Sequence, residues 1–568
     1  MKTNTPNDAA AQFMAQGQEL MNAFMSGAHN CRQTQLDLLR SILQKHGHTQ
    51  FGTDHNFDDV VTYDNYRNQV PLQDYDSLYP YMEKHLQGIP DQLVSGNPCY
   101  YATTSGSTGE PKYIPVTTEQ RSGAHKGSAM LWSYSLACNS PEAMQGNWVV
   151  IVSPAVEGYA PDGTPFGSTS GQYVKDLDPA IKAKYSIPYG VYEIADYDTR
   201  YYCILLLGLA DNNVSLVSST NPSTLSLLCN KADDMKERLI NDIRLGILDK
   251  TLVLPEPIRK LVEDRLTPNP ERANYLEQCI EQDEEHKLRP VHYWPDLEVV
   301  ATWTGGNSAT FIDKMQAWYG KVNIKDLGYL ASEIRGSVPL DLNRGDGVLT
   351  IEDNFFEFIR TDEIDNANPK TYLADEIELG SQYYLFFTNK AGLYRYNIND
   401  IVQVTGFVGN TPKIVFVQKG KGITNITGEK IYEKQVIGAV KQAEFDCQIQ
   451  VNFYHCHADL QSNQYKLYAE FEPGYSTQEH AEFADAFELH LQKLNLEYKT
   501  KRESLRLQPA AVHSLSFGAL EKFKRARIAG GVREAQFKTV PLSMDKNLLT
   551  SFTVETIYQS LSIKESAA

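Results

Sequence analysis

The sequence predicts an α/β fold, with a large multi-sheet N-terminal domain followed by a small α+β C-terminal domain. Three observations carry that expectation. Short apolar or aromatic runs alternate with helical periods over the first four hundred residues. At 568 residues the chain exceeds what one core organises, and domain sizes suggest roughly three or four lobes. Charge also divides the chain: residues 1–420 hold 35 Lys and Arg against 53 Asp and Glu, whereas 421–568 hold 18 of each. The whole net charge of −18 therefore lies in the first part, which implies two units with different surfaces.

Taken in order, the N-terminus lacks the long apolar core of a secretory signal. It places Phe13, Leu20, Met21, Phe24 and Met25 at helical spacing, so it reads as an amphipathic first helix. Helical periods recur around 119–137, 222–245 and 308–318. Strands are expected at WVVIV (148–152), LEVVATW (297–303), FFEFI (355–359), YYLFF (383–387) and KIVFV (413–417). The most apolar run, CILLLGLA (203–210), is far shorter than the roughly 20 residues a bilayer demands. QKGKGITNITGEKI (418–431) then sets three glycines between a strand and an amphipathic helix around Glu433–Gln442. It coincides with the charge change, which favours a hinge over an ordinary turn. The expected domains are 1–419 and 420–568, hinged at Lys419, Gly420 and Gly422. Beyond the hinge, VNFYHCH (451–457), KLYAEFE (466–472) and a helix near 477–494 describe a small α+β domain.

Composition excludes several classes. Hydrophobic residues at 42% and aromatics at 11% suffice for a globular interior. An excess of acid disfavours binding DNA or RNA over a broad face, so no nucleic acid is expected as partner, and no membrane. Eight cysteines without a CxxC pair fit a reduced, cytoplasmic protein. The oligomeric state is not written in the sequence.

One stretch stands apart, YATTSGSTGEPKYIPVT (101–117). Between Thr104 and Lys112 it holds two glycines, four hydroxyl side chains, one proline and one lysine. Successive backbone N–H groups in a glycine-rich turn form a concave positive site for phosphate, and hydroxyls and a lysine add donors and charge. No GK[ST] follows the glycines, so this is not a Walker A loop. No GxSxG is present, so it is not a nucleophile elbow. A plain surface loop remains the alternative on composition alone.

The order of residues goes further: TSGSTGxPK resembles the signature loop of the adenylate-forming enzymes, which include acyl-CoA synthetases, luciferases and nonribosomal adenylation domains. That resemblance implies two distant motifs, and both are present. GYLASE places Tyr329, Ser332 and Glu333 at the end of the strand-like IKDLGYL, and LYRYNINDIVQVTGF places Asp400 after Tyr394, Arg395 and Tyr396. An aromatic ring can cover adenine, one carboxylate can hold Mg²⁺ against phosphates, and another can accept from ribose hydroxyls.

Within that superfamily the chain looks like the acyl-acid amido synthetases, the plant hormone–amino acid conjugating family and its bacterial relatives. AGLYRYNINDIVQVTGF (391–407) is similar to that family's ribose motif, and GYLASE to its tyrosine-and-glutamate motif. NPSTLSLLCNKADDMKERLINDIRLG (221–246), NLEYKTKR (495–502), FGALEKF (517–523) and AQFKTVP (535–541) follow its pattern in order. Three departures stand out. Asn399 occupies the usual glycine position before the aspartate, Lys419 is the nearest cation to the missing hinge arginine, and the serine-rich loop keeps the general superfamily form.

The resemblance implies an ATP- and Mg²⁺-dependent ligase that adenylates a small carboxylic acid and passes the acyl group to an amino acid. Thr104, Ser105, Gly106, Ser107, Thr108, Gly109 and Lys112 would bind phosphates. Tyr329, Ser332, Glu333 and Asp400 would complete the ATP site, with Glu333 at the metal. Lys538 is the candidate mobile catalytic lysine, on its motif alone. The alternative for it is a solvated helix face, since 521–538 carries six basic side chains. In WTGGNSA, Trp303, Gly305 and Gly306 either line the nucleotide or acid pocket or form a helix cap with Asn307 or Ser308. Residues 152–173 are equally an acyl-pocket wall or a plain loop. His455 and His457 share a strand face, but no further ligands stand at zinc spacing. Two other functions remain open, an acyl-CoA ligase with the same first step and an inactive nucleotide-binding module.

Overall fold

The computed structural model describes residues 6–560 except 106–110, 123, 365, 367, 421, 425, 427, 428, 430, 504–506, 531, 533, 535 and 536. The chain divides into two compact units, one of Met1–Ile398 with Val402–Phe416 and one of Asn399–Ile401 with Val417–Ala568.

Among the described residues, three sheets carry the strands of the first unit. Asn147–Ile151, Val214–Ser219, Val299–Thr302 and Asn323–Asp326 lie side by side in that order, all parallel. A parallel sheet needs cover on both faces, so its strands are continuous apolar runs and not alternations. Val299–Thr302 is accordingly buried at every position. The helix Tyr197–Ala210 is buried almost all round, and Tyr201 to Leu207 pack in one core with Val149, Val217 and Val300. The run CILLLGLA is thus the inner part of a core helix, started by Asp196, whose carboxylate accepts from the Thr199 N–H at 2.8 Å.

The second sheet runs Tyr372–Leu373, Asn354–Arg360, Gln382–Asn389, Tyr396–Val408, Thr411–Lys419, Gly347–Leu349, Ser337–Val338. Its aromatic residues, Phe358, Tyr383 and Phe387 on one face and Phe355 on the other, share a core with Tyr101 and Ile114 of the third sheet. A buried ion pair is set into that core. Arg395 (φ 44°) pairs with Glu357 at 2.8 Å, their side chains 6% and 0% exposed. Its guanidinium also donates to the Arg67 and Val70 carbonyls at 2.9 and 2.8 Å. The third sheet orders Pro111–Val116, Tyr100–Ser105, Pro165–Gly167 and Gly158–Tyr159, and its first two strands form an antiparallel hairpin.

In the second unit the sheet order is Leu542–Ser543, Val451–Asp459, Gln464–Phe471, Ala511–Leu515, Val554–Gln559. Helix Glu433–Cys447 turns Val436, Ala439, Val440 and Ala443 inward at helical spacing, and Thr477–Leu494 adds Phe483, Phe487 and Leu491 to the same core. The buried Arg502–Glu488 pair, at 2.6 Å, is completed by the Tyr498 hydroxyl at 2.5 Å.

Two helical stretches divide where the sequence shows one period. Residues 222–245 fold as Pro222–Asp234 and Lys236–Leu245, parted at Met235, and 119–137 lies within Thr118–Ser122 and Ala124–Asn139. Lys236–Leu245 stops at Gly246 (φ 64°), where a Cβ would lie 2.2 Å from the Pro268 nitrogen. Among the described residues no helix is long and apolar enough to cross a membrane.

Candidate active site

The glycine-rich stretch joins the two strands of the hairpin. Thr104 and Ser105 end the strand Tyr100–Ser105, in register with Lys112 and Pro111 on the returning strand. Gly106, Ser107, Thr108 and Gly109 lie outside the described residues. The Lys112 ammonium stands 5.2 Å from the centre of the Tyr75 ring. The Tyr75 hydroxyl in turn accepts the Tyr113 N–H at 2.8 Å, which ties the hairpin to the helix Tyr75–Leu86.

GYLASEIRGS folds back on itself as a tight hairpin. Leu330 and Arg335 are bridged, the Ala331 N–H donates to the Ile334 carbonyl at 2.7 Å, and the Gly336 N–H to Tyr329 at 2.7 Å. At its tip the Ser332 hydroxyl donates to the Thr103 carbonyl at 3.3 Å, one residue before the glycine-rich segment begins at Thr104. The Glu333 carbonyl accepts from Asn389 at 3.0 Å, and the residue is 9% exposed. Tyr329 is buried, its ring stacked on Phe416 with centroids 6.5 Å apart.

One residue that the sequence motifs do not single out organises this region. Asp326 ends the parallel strand Asn323–Asp326, and its carboxylate accepts from both neighbouring turns. The Thr304 N–H and hydroxyl donate to one oxygen at 2.8 and 2.5 Å, and the Gly328 N–H to the other at 2.6 Å. Asp326 thereby clamps the WTGG turn to the base of the GYLASE hairpin. Burial raises its carboxyl pKa, against the lowering effect of those donors. Only its place within the strand-like run IKDLGYL hinted at it.

Trp303 is half-buried and its N–H donates to Thr220 at 3.3 Å. A Cβ at Gly305 would stand 3.1 Å from the Phe416 carbonyl, so glycine there allows close approach to the neighbouring sheet. The following helix, Ala309–Tyr319, receives no side-chain cap from Ser308.

In the second unit, Asp400 is 4% exposed and follows Asn399 at φ 60°. That left-handed conformation suits glycine and, among other residues, asparagine, so this departure from the family motif keeps the backbone's hand. The Gly420 N–H donates to the Asn399 carbonyl at 2.8 Å, and the Glu433 N–H to the Gly422 carbonyl at 2.9 Å. Lys419 ends the strand Thr411–Lys419, and a Cβ at Gly422 would meet the Glu433 carboxyl carbon at 2.5 Å.

Lys538 is exposed and follows the buried Phe537. In the basic run 521–538, most of which the sequence assigns to a solvated helix face, Lys524 is an exception. Lys524 is 3% exposed and pairs with Glu534 at 2.7 Å, because the helix Ala519–Ala529 turns it inward beside Phe523. His455 is a packing residue. Burial pulls its pKa down to about 4, and its Nδ1–H donates to the Val540 carbonyl at 2.6 Å. Within the first unit, then, Thr104, Lys112, Tyr329, Ser332, Glu333 and the Trp303–Gly306 turn share connected elements. Asp400, Gly420 and Gly422 lie together in the second unit.

Comparison with known proteins adds to this geometry. Residues 20–324 match the GH3 family N-terminal domain, 347–419 its central domain and 434–547 its C-terminal domain. A jasmonoyl–L-amino acid synthetase of Nicotiana attenuata is 26% identical over 431 residues, 72% of this chain and 73% of that one. An indole-3-acetic acid-amido synthetase of Arabidopsis thaliana is 25% identical over 513 residues, 83% of this chain and 82% of that one. Among solved structures, an acyl acid amido synthetase superposes with TM-score 0.84 at 21% identity, over 94% of this chain and 96% of that one. A 2-hydroxyisobutyryl-CoA ligase gives 0.50 at 12% identity, over 93% and 90%. At these identities the two structural matches are likenesses of fold.

Proposed function

The chain belongs to the GH3 family, and from that premise we propose that it is an ATP-dependent ligase joining a small carboxylic acid to an amino acid. The observation that carries this reading is the hairpin tip. Ser332 bonds to Thr103 beside the glycine-rich loop, and so holds the Glu333 segment next to the expected phosphates.

The reaction takes two steps. The acid's carboxylate oxygen attacks the α-phosphorus of ATP, forming a P–O bond as the bond to pyrophosphate breaks. An amine then attacks the acyl carbonyl; the C–N bond forms, the amine loses a proton, and AMP leaves. Thr104, Ser105, the glycine-rich loop and Lys112 are assigned to the phosphates, whose developing charge fixed N–H donors and a cation stabilise. Tyr329 is assigned to the adenine and Asp400 to the ribose hydroxyls. Trp303, Gly305 and Gly306 are assigned to the pocket edge.

One buried carboxylate beside a phosphate loop is a donor set that suits Mg²⁺, which takes one or two carboxylates plus substrate oxygens. Glu333 would hold that ion, which neutralises phosphate charge when bound. Lys538 is assigned to the α-phosphate and acyl oxygens. One site must favour adenylation and then admit an amine, so a turn of the small domain about Lys419, Gly420 and Gly422 is part of the proposal. The eight cysteines, all unpaired, support a reducing, cytoplasmic setting.

Acid-dependent exchange of labelled pyrophosphate into ATP tests the first step. Wild-type protein should exchange with at least one acid of a panel, and Glu333→Gln should lose about 10²-fold or more of the rate. Equal rates in the two proteins would remove Glu333 from the site.

A further inference from the structure

Two residues beyond Glu333, Arg335 has its carbonyl satisfied and one guanidinium nitrogen not. Its carbonyl accepts from the Thr350 hydroxyl at 2.6 Å and the Asn354 amide at 3.0 Å. Its Nη1 is buried and has no hydrogen-bond partner. Among the described residues no carboxylate lies at ion-pairing distance; Tyr173 and Asp353 act on the guanidinium only from further off. Asp353 is already engaged, accepting from the Ser128 hydroxyl at 2.5 Å. Guanidinium does not escape burial by deprotonating, so the site holds a fixed cation with a spare donor.

Tyr173, on the helix Thr169–Lys175, is 39% exposed, yet desolvation raises its phenol pKa. Arg335 itself stands on the hairpin, bridged to Leu330, and the tip of that hairpin rests on Thr103.

Three kinds of anion visit such a site in the proposed reaction. The nucleotide phosphates have the loop and Lys112. The reacting carboxylate loses its charge on adenylation, so a cation fixed on it would favour the ground state over the transition state. The α-carboxylate of the acceptor stays ionised throughout and distinguishes an amino acid from a plain amine. We propose that Arg335 is the specificity-determining cation that holds the acceptor's α-carboxylate, its planar fork meeting both oxygens. This assignment rests on the ligase reading and adds to it how the acceptor is recognised. A buried guanidinium left unpaired would also reject neutral amines.

The test uses the whole protein with Mg·ATP, the acid that best supports pyrophosphate exchange, and matched L-amino acids and their α-carboxamides. N-acyl products are followed by mass. Wild-type protein should prefer the free amino acid by about 10- to 100-fold in kcat/KM. Arg335→Gln should raise the amino acid KM about tenfold or more beyond any rise in the acid KM, and should collapse the preference. Arg335→Lys keeps the charge, loses the fork and should fall between. An undiminished preference in Arg335→Gln, or a KM rise confined to the acid, overturns the assignment and leaves the ligase reading standing. Wild-type exchange without N-acyl product from any amino acid overturns the ligase reading, and the assignment with it.

Discussion

Replacing Asp326 with alanine removes one carboxylate and strands three donors, the buried Gly328 N–H and the half-buried Thr304 N–H and hydroxyl. The hydroxyl can rotate to another acceptor, but the two backbone N–H groups cannot. An unpaired buried donor costs about 1–3 kcal/mol and a half-buried one less, so the pair costs about 2–5 kcal/mol. Removing a carboxylate that burial disfavours recovers part of this, leaving a net loss of about 2–4 kcal/mol. Function should fall as well, because the hairpin with Ser332 and Glu333 starts at the freed Gly328, and a displacement of about 1 Å can cost about 10²-fold in rate. Urea unfolding gives the stability term and acid-dependent pyrophosphate exchange the rate. A stability change below about 0.5 kcal/mol with unaltered exchange would show that neither turn depends on the clamp.

Lys325, beside this clamp, is fully buried, and desolvation lowers its pKa from 10.5 to about 8. From pH 8 to 10.5 the unfolded chain keeps the proton that the folded chain has lost, so stability should rise with pH by up to about 3 kcal/mol. Lys325→Met should flatten that rise in urea midpoints taken across the window; an equally steep profile would refute the burial penalty. At Gly422, proline should slow at least one of the two half-reactions, assayed separately as pyrophosphate exchange and as N-acyl product from preformed acyl-adenylate. Normal rates in both would remove the hinge from residues 419–422.

What the sequence discloses depends on whether a signal is local. The parallel strands are legible because burial on both faces requires apolar runs such as LEVVATW, and the second unit's helices because their inward residues recur at a fixed spacing. The phosphate loop, the GYLASE hairpin and Asp400 are legible as motifs, since each concentrates its chemistry within a few residues. Asp326 and Arg335 stand inside or beside those motifs, but their importance comes from partners brought near by folding. Thr304 lies 22 residues from Asp326, and nothing in the neighbouring sequence marks Arg335 Nη1 as unpaired. The Arg395–Glu357 pair is illegible for the same reason: it joins positions 38 residues apart. Charge counting misleads at Lys524, where a basic run conceals one side chain turned inward to Glu534. Hydropathy ranks CILLLGLA as the most apolar run without saying that it is a helix in the core.

The central claim, adenylation followed by amide formation, is tested most directly by the products of one incubation. The protein is given Mg·ATP and a carboxylic acid panel, with pooled amino acids or coenzyme A, and nucleotides and acyl products are separated and weighed by mass. The account predicts acid-dependent AMP that rises with amino acids, together with an N-acyl amino acid mass. ADP, or AMP that rises with coenzyme A alone, would contradict it.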